Sequence, residues 1–241
     1  MEFLFLLILL VISFLYASVG HGGASGYLAL MALFGMEASV MRPSALTLNL
    51  FVSFIAFFSF YQGGYLRWKL LFPFIITSIP MSYWGAGISI DQRLYKYLLG
   101  ICLIAGIGRM LFMPDEGPVQ NKKVPFPAGL VAGAALGFIS GLIGIGGGVI
   151  LSPLLILFRW ADQKETAAVS SVFIFLNSAS GLLGLNGSGP VIGADLLTWV
   201  AVAVIGGIAG SAAGSFKLNP SSLKYILAGV LLMASIKLFV I

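Results

Sequence analysis

The 241-residue chain is 59% hydrophobic and only 9% charged, with a mean hydropathy of +1.06. A soluble domain carries about 25% charged residues, so this composition excludes a soluble enzyme or binding module and fits a bundle whose outer surface faces lipid. The net charge of +5, from 13 Lys and Arg against 8 Asp and Glu, is spread over short loops without a basic cluster; it reads as a topology signal and excludes a nucleic-acid partner.

The first apolar run predicts a spanning helix near 3–20. Glu2 is the only early charge, so the segment lacks the basic start of a signal peptide and is expected to stay in the protein. A break follows, Gly20-His21-Gly22-Gly23-Ala24-Ser25-Gly26, and then a short apolar run, 24–36. A span needs about 20 apolar residues, so this run reads as a half-helix. Further spans are predicted near 43–61, 70–90 and 94–112. Cys102 lies inside the last of these; as the sole cysteine it has no intrachain partner and is expected to pack.

The most hydrophilic stretch, PDEGPVQNKKVP at 114–125, divides the chain into repeats at 1–113 and 126–241. Beyond it a span is predicted at 126–143, then a second break, Gly144-Ile145-Gly146-Gly147-Gly148, and a second half-helix at 148–158. Spans near 166–184, 195–216 and 222–240 complete the chain. The halves align on their glycines: Gly20, Gly22 and Gly23 match Gly144, Gly146 and Gly147, and Gly85 and Gly100 match Gly214 and Gly229. Ala45 matches Ala168, and Thr47 matches Ser170. This ordering implies an internal duplication.

The loop cations relate the two copies. If each broken pair crosses once, the repeats are parallel and the cations divide seven against six. If each pair returns to the side it entered from, the repeats are inverted. One side then holds Arg67, Lys69, Arg109, Lys122, Lys123, Arg159, Lys164, Lys217 and Lys224, against Arg42, Arg93, Lys96 and Lys237 on the other. The positive-inside rule favours the inverted arrangement, with both termini outside. The expected fold is therefore an all-α integral membrane protein of two inverted repeats, each a glycine-broken helix pair plus three spanning helices. Whether the broken pairs are re-entrant or fully spanning stays open.

Each glycine costs a helix interior about 1 kcal/mol relative to alanine, so clusters this dense end a helix. Unwound backbone in a membrane is tolerated only inside protein or along a cavity, and discontinuous helices at matching positions in two halves point to a transport site. Isolated glycines such as Gly129, Gly133, Gly137, Gly206, Gly207 and Gly210 instead suit close helix packing. The half-helices begin at the breaks, where free N–H groups and the positive end of the helix dipole attract an anion. No predicted membrane interior contains Asp or Glu, which disfavours cation carriers that rely on carboxylates.

GHGGASGYLAL and GIGGGVILSPLLIL, followed by PSALTLNLFVSF and ETAAVSSVFIF, resemble the TauE/SafE sulfite exporter family of membrane permeases over nearly the whole chain. The second half is the closer match; in the first, His21 stands where the pattern has an apolar residue. The resemblance implies transport of a sulfur-containing anion such as sulfite, thiosulfate or an organosulfonate.

The candidate substrate-binding residues are Gly22, Gly23, Ala24 and Ser25 in the first break and Gly146, Gly147 and Gly148 in the second. His21, the only histidine, reads equally as a proton-linked or anion-donating group and as a structural hydrogen-bonding one. Thr47, Asn49, Ser170, Ser171 and Asn177, with Ser178 beside them, can donate to an oxyanion or bond within their own helices. Arg42 and Lys164 precede these segments and read as loop anchors. Ser25 in Gly-Ala-Ser-Gly superficially suggests a serine protease, but His21, four residues away, is its only candidate base. Trp68, Trp84, Trp160 and Trp199 fit interfacial anchoring. The expected function is secondary transport of a small anion by alternating access in the cell (inner) membrane. A passive anion channel and a non-transporting membrane subunit are the alternatives. No phosphate-binding loop is present, no metal or other cofactor is expected, and the partners are the anion and lipid, with homo-oligomerisation left open.

Overall fold

The computed structural model describes residues 2–112, 124–185 and 194–216, together with 232, 235 and 236. Residues 114–123 of the linker and nearly all of the segment near 222–240 lie outside the described residues. Within them the chain is helical: α1 (Glu2–Ser18), α2 (Ala24–Leu33), α3 (Ala38–Gln62), α4 (Trp68–Gly87), α5 (Gln92–Phe112), α6 (Phe126–Ile143), α7 (Gly148–Leu157), α8 (Gln163–Gly184) and α9 (Ala194–Phe216). Among the described residues five helices, α3, α4, α6, α8 and α9, are long and apolar enough to cross a membrane. Both breaks interrupt the helices where the glycines cluster, and α2 and α7 are each 10 residues long.

The two half-helices end alike. Gly35 and Arg159 both have positive φ, 76° and 56°. The N–H of the following residue reaches back in each case, Met36 to Met31 O and Trp160 to Leu155 O. This is the glycine-type C-terminal cap, built at Arg159 on a residue that adopts the conformation less readily. Arg42 and Lys164 fall inside helices rather than in the loops before them. α3 already begins at Ala38 and carries Pro43 as its sixth residue, where the ring removes the N–H that would reach the Ser39 carbonyl. α8 begins at Gln163, with a capping box between Asp162 and Glu165.

Small residues set the packing. Along α6, a Cβ at Gly133, Gly137 or Gly141 would overlap the carbonyls of Phe74, Ser78 or Ser82 on α4. Along α9, a Cβ at Gly206, Gly210 or Gly214 would overlap those of Leu10, Phe14 or Ser18 on α1. Such spaced glycines let helix backbones touch in a setting without a hydrophobic driving force between helices. Residue numbers rise together along both seams, so α1 runs parallel to α9, and α4 parallel to α6. Ser59 bonds Ser211, and Gly207 abuts Val52, so α3 runs with α9. Asn177 reaches Ser78 and Gly184 abuts Tyr83, so α8 runs with α4. The central pair is opposed: Leu46 meets Gly181, Asn49 meets Ser178, and Phe54 meets Phe175. Helices α1, α3 and α9 thus run one way, and α4, α6 and α8 the other.

Large apolar side chains such as Phe3, Phe58, Trp68, Trp84 and Val131 are exposed, as on a lipid-facing surface. Trp160 is a correction to the interfacial reading. It is buried, with Phe74 and the stacked Phe158 against it. Cys102 packs on the main core cluster, as expected.

Candidate functional site

Each break must be unwound for a local reason. Gly23 and Gly147, the residues before α2 and α7, are both left-handed, with φ of 97° and 75°. As glycines, neither supplies a side-chain cap to its half-helix, so the first N–H groups must find acceptors elsewhere.

The two breaks meet around Asn49, which is fully buried on α3. Its Oδ1 accepts the N–H of Ala24, the first residue of α2, at 3.2 Å. Its Nδ2 donates to Ser178 Oγ on α8 at 2.9 Å. A Cβ on Gly22 or on Gly146 would overlap this amide from either side. One asparagine is therefore clasped by glycines from both halves of the chain. Ile174 fills the remaining space, 3.0 Å from the Cβ position of both Gly22 and Gly146 and in contact with Gly148. Residues 20–30 and 143–148 are buried throughout.

His21 carries the first break onto α7. Its Nδ1 lies 3.0 Å from Val19 O and its Nε2 2.9 Å from Ser152 Oγ. Ser152 in turn bonds Ser170 on α8 at 2.8 Å and the Gly148 carbonyl at 3.0 Å. His21, Gly22, Gly23, Ala24, Asn49, Gly146, Gly148 and Ser170 are thus brought together, and Gly147 starts α7 against the Phe173 ring.

Other candidates point elsewhere. Ser25 donates to Tyr16 on α1 at 2.8 Å, so Ser25 and His21 serve different partners. Thr47 bonds back to Pro43 O, and Ser171 to Ala168 O; both are spent within their own helices. Asn177 turns its amide nitrogen to Phe173 O and to Ser78 on α4, and its Oδ1 has no partner among the described residues.

Ser152 and Ile174 are absent from the sequence candidates. Ser152 was findable, because it stands four residues after Gly148 and so on the same helix face. Ile174 carried no such signal, because one more aliphatic residue in an apolar helix is unremarkable.

Arg42 belongs to the frame of the site. Its guanidinium donates to the carbonyls of Gly85, Ala86 and Ile88 at the end of α4 and to Gly141 in the last turn of α6, at 2.6–3.4 Å. It thereby satisfies carbonyls that helix ends leave unpaired. At the other end of α8, Arg67 pairs with Glu165 at 3.1 Å.

The clasp makes a testable demand. Asn49→Ala strands the Ala24 N–H and the Ser178 hydroxyl in the core, at a cost of about 2 kcal/mol. Thermal unfolding of the purified protein in detergent should show the loss, and an unchanged melting temperature would remove Asn49 from the structural centre.

Comparison with known proteins finds membrane transporters. The chain is 35% identical to a probable membrane transporter protein of Sinorhizobium fredii, covering 95% of this chain and 94% of that one. It is 30% identical to a probable membrane transporter protein of Methanocaldococcus jannaschii over 76% of this chain and 73% of the relative. A third, from Bacillus subtilis, is 25% identical over 95% and 96%. No solved structure matches the chain. The pattern described as "Sulfite exporter TauE/SafE" matches residues 4–238, from α1 through both breaks to near the C-terminus, and with relatives of this similarity the chain belongs to the TauE/SafE family of membrane transporters.

Proposed function

We propose that the protein is a secondary transporter of a small sulfur-containing anion, working by alternating access in the cell membrane. The observation that carries this reading is the meeting of two glycine breaks, one from each half, around a single buried asparagine. Each break opens a half-helix whose N-terminus bears roughly half a positive charge. Two such ends in a water-poor interior attract an oxyanion without a cationic side chain.

The two halves are proposed to be inverted repeats. Supporting this, α1 and α3 run opposite to α6 and α8, their counterparts in the second half, and α4 opposite to α9. Supporting a carrier over an open channel, the break residues are buried throughout, so an anion reaches them only if the helices move. The glycine-lined seams α1–α9 and α4–α6 offer surfaces on which one set of helices can rock against the other. On this reading the termini lie outside, with the cation-rich loops in the cytoplasm.

The test is flux into proteoliposomes against sulfite, thiosulfate, a taurine-like sulfonate, sulfate and a carboxylate. Saturating flux with counterflow for one or more of the sulfur anions is expected. Linear flux without counterflow supports a channel, and no flux for any of them supports a subunit that transports nothing. A C-terminal reporter active only in the cytoplasm would overturn the proposed orientation.

A further inference from the structure

We propose that the anion is hydrogen-bonded at the second break, at the N-terminus of α7, and that the Ser140 hydroxyl on α6 donates to it directly. On the transport reading above, on which this rests, two helix ends share the attraction; the second is the one with donors to spare.

The breaks match in their glycines but not in their polar partners. At the first, Asn49 Oδ1 takes the N–H that opens α2, from Ala24. The hydroxyls beside it serve one another: Ser25 donates to Tyr16 at 2.8 Å, and Tyr27 bonds Ser13 at 3.0 Å. The Tyr27 ring also covers Gly23, 2.6 Å from where a Cβ would stand.

At the second break the counterpart of Ala24 is Gly148, and one asparagine cannot cap both. With Oδ1 turned to Ala24, Asn49 presents Nδ2, a donor, on the side where a Cβ of Gly146 would stand. The first α7 bonds come from the N–H groups of Ile150 and Leu151 to Gly147 O. Among the described residues no acceptor meets the N–H of Gly148 or Val149. Ser25 and Tyr27 correspond to Val149 and Leu151, neither of which carries a hydroxyl. A helix N-terminus with unpaired N–H groups attracts an anion.

Ser140 is the second, independent mark of a ligand. It stands four residues before Gly144, as Tyr16 stands four before Gly20, so a hydroxymethyl group replaces the phenol ring of the first half. Its Cβ lies 3.4 Å from the Cβ position of Gly147, the residue that precedes α7. The side chain is fully buried, and its Oγ has no partner among the described residues. Other hydroxyls in this protein behave differently. Ser13, Thr47 and Ser59 each bond the carbonyl four residues back, and Leu136 O stands in that relation to Ser140. A buried hydroxyl left unpaired costs stability and calls for an explanation. An oxyanion at the start of α7 supplies one, accepting from Ser140 and from the α7 N–H groups together.

Among the described residues two more buried side-chain atoms lack partners, Thr166 Oγ1 and Asn177 Oδ1. Thr166 lies two turns of α8 before Phe173, the ring that meets Gly147. Asn177 donates through Nδ2 to Phe173 O, which fixes Oδ1 as an acceptor, and an amide oxygen repels an anion. Neither serves as a donor at this end of α7.

Ser140→Ala separates a ligand contact from a structural one. Removing a hydroxyl that bonds nothing should leave the melting temperature of the anion-free protein in detergent unchanged or slightly higher. In proteoliposomes it should raise the KM for the transported anion about tenfold, the effect of losing one hydrogen bond to a charged group. The probes are sulfite, thiosulfate and an alkyl sulfonate. Tyr27→Phe is the control at the first break: it removes the bond to Ser13 and should lower the melting temperature while leaving KM within about threefold of wild type. If Ser140→Ala leaves KM unchanged, or lowers the melting temperature as Tyr27→Phe does, the assignment of Ser140 is overturned and the transport reading stands. An equal rise of KM in both variants overturns the restriction to the second break. No flux of any probe in wild type overturns the transport reading and, with it, this site.

Discussion

Gly147→Leu is expected to abolish anion flux while leaving the protein folded in the membrane. Gly147 holds a left-handed backbone at φ 75° immediately before α7, a conformation that costs a side-chain-bearing residue about 1–2 kcal/mol. A Cβ there would also lie 2.8 Å from Phe173 Cε1, too close without movement of the ring. The strain is local and smaller than the stability of a packed bundle, so insertion and yield should hold. What is lost is the position of the α7 N–H groups. Flux in proteoliposomes, beside a surface-accessibility or proteolysis check of the fold, measures both. Wild-type flux in the variant would exclude the second break from the site.

Arg42→Gln should act in the opposite sense, on stability before chemistry. The guanidinium makes five donations to four carbonyls at the ends of α4 and α6. Hydrogen bonds from charged donors contribute about 1.5–3 kcal/mol each in mutational series. They are not additive here, since one side chain makes them all, and a loss of order 3 kcal/mol is expected. Arg42→Lys should recover only part, because an ammonium cannot reproduce the planar fork. Thermal melts of the three proteins in the same detergent give the ranking, wild type above Lys above Gln. A Gln variant as stable as wild type would show that the carbonyls find other donors.

The half-helices were legible in the sequence because charge-free runs and glycine clusters report where helices start. Both α2 and α7 begin at the residues expected, Ala24 and Gly148. Their far ends were less clear. Gly35 stops α2 through backbone conformation without any change in polarity, which a hydropathy reading does not detect. The spaced glycines at 133, 137, 206 and 210 were correctly read as packing residues, but their partners were not, because α6 closes on α4 and α9 on α1 across long separations in the chain. Among the polar candidates, residue type alone could not separate Asn49, which joins three elements, from Thr47 and Ser171, which bond within their own turns. Only distance distinguishes them. The link from His21 to Ser170 was hidden for the same reason, since Ser152, which joins them, belongs to the other half.

The seams between α1 and α9 and between α4 and α6 have a consequence for biogenesis. Each buries a backbone face of one half against the other, with glycines on α6 and α9 receiving carbonyls from α4 and α1. During synthesis α1 and α4 enter the bilayer with those faces unmatched, and their partners leave the ribosome more than fifty residues later. The amino-terminal half alone should therefore be a substrate for membrane quality control rather than a stable fragment. The same interlock means that two separately expressed halves, cut in the hydrophilic linker, carry complementary surfaces and should assemble when made together.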